Sequence, residues 1–459
     1  MQVDLLAGSF DVATNLDVGA WTAEYPYDAA ESSFDSSDAT LNGVYELARW
    51  TVEAGVLDTF TDSNTRERRP YEADMLCAGT ARLWVQRDAA LLRHSVSYVL
   101  EAPTWPVEWL QMAPLLAWAD YMATGETVVA ETYADLLRND TRYPADADAT
   151  GLLSCSKPPN KCSSPPAGPG HHIVDWFPGP SGAMFRASDH LSVDQAFAVA
   201  GLRKLAATAG GAVAKAAAAD ADALSAAMKT HMWNASANRY CDGACADVAG
   251  HAGVTTAAWF LYNGLLEPAA AATACADVEA WGLEGFGSYG AFIYLSALAA
   301  CDVDDGSAML EALTKCDAQS WCAEMRDSGA TMTRESWAGG TYSHPWGTAA
   351  LVGVSAGVLG VAQTAPAWRN FTVKPKLGNL TFANGVVPTV AGPVAVNATP
   401  AATAVVVPPN SRATVCVANA ARVLLDGVAV DAVASGAHAC AVGVGSGRRG
   451  AARVVAAAE

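Results

Sequence analysis

Near Pro366 the chain changes period, and that change decides most of what it can fold into. Upstream, from about Asp38 to Gln363, apolar residues recur at helical spacing in segment after segment. Asp38 or Thr40 can cap a helix carrying Leu41, Val44, Tyr45, Leu47, Ala48 and Val52 on its apolar stripe and ending near Gly55. Further helices are expected over 73–101, 109–124, 126–137, 193–207, 212–233, 255–262, 268–281, 288–300, 307–325 and 346–363. Their spacing is too irregular for a short-period solenoid. Roughly a dozen helices in antiparallel hairpins can close as six inner and six outer ones, an (α/α)6 barrel, although packing rules alone leave other large helical arrays open. Downstream of Pro366, β-branched residues alternate between Gly, Pro and Asn punctuation. Strands are expected over 370–373, 380–383, 394–398, 402–407, 412–418 and 422–425, with a last strand or a frayed tail at the end. That is a small antiparallel β-sandwich. The fold class is therefore mainly α, an (α/α)6 barrel over 35–363 followed by the sandwich over 364–459. Residues 1–34 read as a strand or linker left from an upstream β-domain. The Pro/Ser/Gly-rich run 154–170 is expected as a surface insertion.

Charge and cysteine content narrow the function classes. Asp plus Glu number 47 against 28 Lys plus Arg, a net charge of −19. A chain this acidic repels phosphate backbones, so nucleic acid and anionic membranes are poor partners. No apolar run is long enough to cross a bilayer; the stretch 349–362 suits a buried core helix. The first residues lack a basic region followed by a long apolar one and do not read as a signal peptide. Five N-x-Ser/Thr sites, at Asn139, Asn234, Asn370, Asn379 and Asn397, nevertheless point toward a secretory or extracellular route. So do the cysteine pairs Cys155 with Cys162, Cys241 with Cys245, Cys316 with Cys322, and Cys416 with Cys440, with buried free thiols as the alternative. The count of 11 is odd, and Cys77, inside a helical pattern, is the choice for the unpaired thiol. The Cys241/Cys245 spacing lacks the second pair of a zinc site, and no calcium loop is visible; no metal or other cofactor is expected.

The chemistry concentrates in loops. Asp62 to Asp74, DSNTRERRPYEAD, is dense in charge yet lies between two apolar helical segments. Its start is turn chemistry, and Pro70 makes a continuous helix through Arg69 unfavourable. Taken alone it also reads as a solvated turn with an ion pair from Glu67 to Arg66 or Arg68. Elsewhere Trp105 and Trp109 frame one cluster; His171, His172, Asp175 and Trp176 form a second; Glu335, Trp337, Tyr342, His344 and Trp346 form a third. Tryptophans beside carboxylates on loops suit a sugar site, the ring covering the C–H face of a pyranose while carboxylates and His take its hydroxyls.

The segment from Phe34, FDSSDATLN, followed by Asp62, Arg66, Glu67, Arg68 and Asp74, resembles the opening of the catalytic domain of bacterial-type α-L-rhamnosidases, glycoside hydrolase family 78. Pro103 through Glu126 is similar to a second stretch of that family. Thr331, Glu335, Trp337, Ser343, His344 and Trp346 match a third, and 368–397 is similar to its C-terminal β-sandwich. The resemblance runs from about residue 25 to the end. It implies the (α/α)6 barrel and an inverting glycosidase that releases terminal α-L-rhamnose from glycosides or polysaccharides. Glu67 would be the general acid and Glu335 the general base. Asp62, Arg66, Asp74, Trp109, Trp176 and His344 would bind the sugar, with Trp105, Asp175 and Trp337 as weaker candidates. The alternatives are another carbohydrate-active (α/α)6 enzyme and a non-catalytic sugar-binding protein. Two departures stand out. The family's loop tryptophan is Tyr71 here, after Pro70, and the usual N-terminal β-domains have at most a remnant before Ser33. One tension is physical: cations beside Glu67 lower a carboxyl pKa that a general acid needs raised. Arg66 and Arg68 are therefore expected to pair with Asp62 or Asp74.

Overall fold

The computed structural model describes residues 23–456 except 106, 158–171, 177–187, 302–304, 419, 421 and 447–451, with isolated positions before 23. His171, Cys162 and most of the 154–170 insertion lie outside the described residues. The first helix, Ala39–Ala54, forms as its sequence dictates. The Asp38 carboxylate accepts from the Leu41 N–H at 2.9 Å, and Gly55 donates its N–H to Thr51 O at 2.8 Å to close the last turn. Leu41, Val44, Tyr45, Leu47, Ala48 and Val52 are all buried.

Six helical stretches form a closed inner ring: Glu72–Arg82, Ala113–Thr124, Ser192–Thr208, Val254–Tyr262, Gly290–Ala300 and the run from Pro345 to Val358. Each packs on the next, and the last returns to the first. Ala39–Ala54, Ala90–Glu101, Ala134–Asp140, Gly211–His231, Pro268–Trp281 and Ser307–Thr314 lie outside them, each against inner helices. The two sets differ as burial requires. Glu72–Arg82 is buried at every position but Thr80, whereas Gly211–His231 buries only Ala217, Ala221, Leu224, Ala227 and Met228. This is the expected (α/α)6 barrel.

Three expected helices are each two. The pattern over 73–101 breaks between Arg82 and Ala90, where the chain turns from an inner to an outer helix. No Gly or Pro lies between Thr80 and Ala102 to signal the reversal. It is held by tertiary contacts: the Arg82 guanidinium donates to Pro26 O, and Gln86 both donates to Asp28 O and accepts from the Asp28 N–H. The segment 126–137 divides into Val128–Thr132 and Ala134–Asp140, and 307–325 into Ser307–Thr314 and Trp321–Ser328 across the Cys316–Cys322 disulfide. The run expected as a helix over 346–363 ends in a π-turn at Gly353–Val358, and Val361–Gln363 is a strand. Gly360, at φ +64°, makes that switch; a Cβ there would lie 1.9 Å from Lys374 O.

Two sheets make the sandwich. In the larger one, Ser33–Ser36 pairs with Ala383–Val387, which continues through Val394–Thr399, Ala402–Val406, Ala452–Ala456 and Val423–Leu425 to Val428–Val430. The smaller runs Val433–Ser435, His438–Val444, Arg412–Ala418, Asn370–Val373 and Val361–Gln363. All pairs are antiparallel except Asn370–Val373 with Arg412–Ala418. The strand expected at 380–383 sits later, at 383–387, and the tail forms a strand. Ser33–Ser36 shows how the sandwich is tied to the barrel: the residues just before the first helix supply its edge strand. Cys241–Cys245, Cys316–Cys322 and Cys416–Cys440 are bridged and Cys77 is the buried free thiol. Cys155 is also oxidised. The Cys275–Cys301 bridge, joining the end of an inner helix to the outer helix before it, was not anticipated. Among the described residues, no helix is long and apolar enough to cross a membrane.

Candidate active site

Antiparallel hairpins put the starts of all inner helices at one end of the barrel, so the loops that precede them share one mouth. Four such loops line a cavity of about 490 Å³: Asp62–Tyr71 before Glu72–Arg82, Trp105–Trp109 before Ala113–Thr124, Ile173–Trp176 before Ser192–Thr208, and Glu335–Trp346 before Ala350. All eight expected site residues, Asp62, Arg66, Glu67, Asp74, Trp109, Trp176, Glu335 and His344, lie on this cavity, although 268 positions separate the two glutamates. Ile173, Arg69, Tyr71, Trp105 and Trp346 complete the lining.

The first loop is stapled by its own backbone. The Asp62 N–H donates to Arg69 O, and the Asp62 carboxylate accepts from the Arg69 N–H, both at 2.9 Å. Arg68 turns the chain at φ +56°, and its guanidinium donates to Asn64 O, away from the cavity. Arg66 does not pair with Asp74, as the sequence had suggested. Its Nη2 lies 2.8 Å from Glu67 Oε1 and 3.3 Å from Glu335. Asp62 is occupied by the staple, and Asp74 faces His344 Nε2 at 3.1 Å. The two glutamates therefore meet on one nitrogen, so their nearest oxygens are separated by at most the sum of those distances, about 6 Å. The second oxygen of Glu67 accepts from the Tyr71 hydroxyl at 2.8 Å, and the Tyr71 ring stands edge-on to Trp109. Burial and the Glu67 carboxylate together push the Tyr71 phenol far up.

Glu335 is buried and saturated with donors. Its Oε2 accepts from the N–H and hydroxyl of Thr341, each at 3.0 Å; its Oε1 accepts from the Trp176 indole at 3.1 Å, and Arg66 Nη2 stands 3.3 Å from both oxygens. Burial alone would raise its pKa, but the Thr341 donors, His344 and Arg66 outweigh burial and hold it below the usual value, so the carboxylate is ionised. The turn that returns Thr341 to Glu335 needs glycine: Gly340 sits at φ +80°, and a Cβ there would lie 2.6 Å from the Glu335 Cβ. Behind Thr341, its hydroxyl is 2.8 Å from His344 Nδ1. Asp74, in the first turn of its helix, is pushed up by burial, which His344 only partly offsets.

A second buried cluster fixes the Trp176 loop. Glu108 Oε1 accepts from the N–H groups of Ile173 and Val174 at 2.6 and 2.8 Å, and His172 Nδ1 meets Asp194 at 2.9 Å and Glu108 at 3.6 Å. Burial alone would lower the His172 pKa, but Asp194 and Glu108 raise it to about 9, so an imidazolium balances the carboxylates. The trio Glu108, His172 and Asp194 has a metal-ligand arrangement, and the imidazolium supplies the cation such a cluster calls for. Asp175 accepts from the N–H groups of Gly287 and Gly290, capping the helix Gly290–Ala300, and does not reach the cavity. Trp337 is also core: its indole donates to Phe286 O, and its ring packs edge-on against Trp321. Sequence reasoning missed Thr341 and Glu108. The only trace of either was a threonine after a Gly-Gly turn and a glutamate beside Trp109.

A family model for the bacterial alpha-L-rhamnosidase 6 hairpin glycosidase domain matches residues 29–351, and one for the bacterial alpha-L-rhamnosidase C-terminal domain matches 360–430. No individually curated protein matches the sequence. The fold is similar to that of the Streptomyces avermitilis alpha-L-rhamnosidase complexed with L-rhamnose, with a TM-score of 0.70 and 20% identity over 95% of this chain and 43% of that one. It is also similar to the native Aspergillus terreus enzyme (TM-score 0.66, 18% identity, 94% and 50%) and to the family 78 rhamnosidase of a Bacillus species (0.65, 21%, 82% and 41%). This chain thus spans half or less of the length of those structures. With the match over 29–351 covering most of the sequence, the chain belongs to the bacterial α-L-rhamnosidase six-hairpin glycosidase family.

Proposed function

We propose that this chain hydrolyses terminal α-L-rhamnosides with inversion, Glu67 acting as general acid and Glu335 as general base. The observation that carries the assignment is the asymmetry of the pair. Glu335 is buried, acceptor-only and ionised, as a base must be, whereas Glu67 stands at the open side of the cavity with its side chain 38% exposed, where it can take a proton from solvent. A pyranose seated against Trp109, Trp176 and Trp346 would present hydroxyls to Asp62, Asp74 and His344 and draw Arg66 off the two carboxylates. Glu67 then gives its proton to the glycosidic oxygen as the bond to the anomeric carbon breaks. Glu335 Oε1 takes a proton from the water that attacks the opposite face. The products are the free sugar and the aglycone alcohol; the enzyme's net charge is unchanged, and proton exchange with solvent moves the proton from Glu335 back to Glu67.

Inverting enzymes space their carboxyls at roughly 6.5–9.5 Å and retaining ones at about 5–5.5 Å. The ceiling of about 6 Å between nearest oxygens, with Arg66 between them, makes the released anomer the decisive readout. Purified chain is incubated with p-nitrophenyl α-L-rhamnoside, and the first sugar formed is followed by NMR. The β-anomer appearing first supports the reading. The α-anomer first, or full activity in Glu67→Gln or Glu335→Gln, rejects it. Binding of rhamnose without turnover on any glycoside would favour a carbohydrate-binding role.

A further inference from the structure

We propose that Thr341 is a positioning residue that decides which oxygen of Glu335 acts as the base. This rests on the assignment of Glu335 as the base. A hydroxyl has one hydrogen to give. Thr341 Oγ1 lies between Glu335 Oε2 at 3.0 Å and His344 Nδ1 at 2.8 Å. The ionised carboxylate can only accept, so the hydroxyl donates to Glu335. Its oxygen must then accept from His344, which places a proton on Nδ1. The other ring nitrogen, Nε2, faces Asp74 Oδ1 at 3.1 Å. One hydroxyl thereby orders a buried line of four groups, Asp74, His344, Thr341 and Glu335.

The same contact selects the reactive oxygen. Oε2 takes two donors from Thr341, one from its backbone and one from its side chain, and is committed. Arg66 Nη2 stands 3.3 Å from both oxygens and, half-exposed, is the partner that can leave; without it Oε1 holds only the Trp176 indole. Oε1 is therefore the oxygen open to a water. The charged groups around the carboxylate are Arg66 and Glu67 from the first loop, and His344 with Asp74 behind it; of these only His344 touches the Thr341 hydroxyl.

Thr341→Val keeps the shape and the backbone N–H and removes only the hydroxyl; Thr341→Ser keeps the hydroxyl. The loss of a hydrogen bond to a charged group predicts a drop of roughly 10- to 100-fold in kcat/KM for Thr341→Val, with the acid limb of its pH profile displaced to higher pH. Thr341→Ser is expected to keep the wild-type limb. Thermal unfolding is measured on each variant, and Thr341→Ala carries the same test if the valine folds poorly. An acid limb that stays in place in the hydroxyl-free variants, or that moves equally in the serine variant, overturns the proposal while inactivity of Glu335→Gln leaves the base assignment standing. Wild-type activity in Glu335→Gln removes that assignment instead.

Discussion

Replacing Trp176 by Phe should separate two roles that one side chain combines. The indole N–H donates to Glu335 Oε1 at 3.1 Å, while the ring lies near Trp346 with centroids 6.4 Å apart and lines the cavity. Phenylalanine keeps most of the apolar face and removes the donor. A hydrogen bond to a charged acceptor contributes about 1.5–3 kcal/mol. Glu335 would keep both Thr341 donors and Arg66, so the lower end applies, near 1.5 kcal/mol, which is about tenfold in kcat/KM. The sign of the pH effect follows from the same count. The donors hold the Glu335 carboxyl below its usual value, so losing one raises it. A base works only when ionised, so the acid limb of kcat/KM moves to higher pH. The assay is steady-state hydrolysis of p-nitrophenyl α-L-rhamnoside across that limb. A variant that raises KM but leaves the limb in place would show Trp176 to be a sugar platform alone, and an unchanged kcat/KM would refute the hydrogen-bond argument altogether.

Four stability predictions follow from residues away from the reacting atoms. Burial lifts the Glu324 carboxyl to about 8, so its folded-state stability is present below the unfolded value of 4.5 and is lost as pH rises through 8. Glu324→Gln should gain stability of order 4 kcal/mol above that range and little below it, read as Tm by calorimetry at both ends; equal shifts at both would contradict this. His172 has the same sign: the stability from its charged form is full below 6.5 and fades as pH rises through about 9, so His172→Phe should flatten the wild-type decline in Tm on that side. Gly360→Ala, with its Cβ driven onto Lys374 O at positive φ, should cost about 2 kcal/mol or more of unfolding free energy in urea titration; no change would mean the strand switch tolerates a side chain. Removing the Cys275–Cys301 bridge, which closes 26 residues, should cost about 3 kcal/mol, and a reductant should have no further effect at that site.

Much of the fold is legible in local chemistry because it rests on local rules. The Asp38 cap, the apolar stripe of the first helix, the strands at 370–373 and 412–418, and the change of period near Pro366 all follow from side chains within a turn or two of each other. The loop Asp62–Asp74 and the tryptophan clusters were visible for the same reason: unusual composition at a loop needs no partner to be noticed. Tertiary structure alone decided three things. The reversal after Arg82 carries no Gly or Pro of its own and forms because Arg82 and Gln86 find distant partners. The pairing of Arg66 with both glutamates depends on a barrel that brings residues 269 positions apart to 3.3 Å. The link from Asp74 through His344 and Thr341 to Glu335 exists only because two loops meet at one mouth. Sequence periodicity reports which face of an element is buried; it does not report what that face is buried against, and the chemistry of this site is set by the latter.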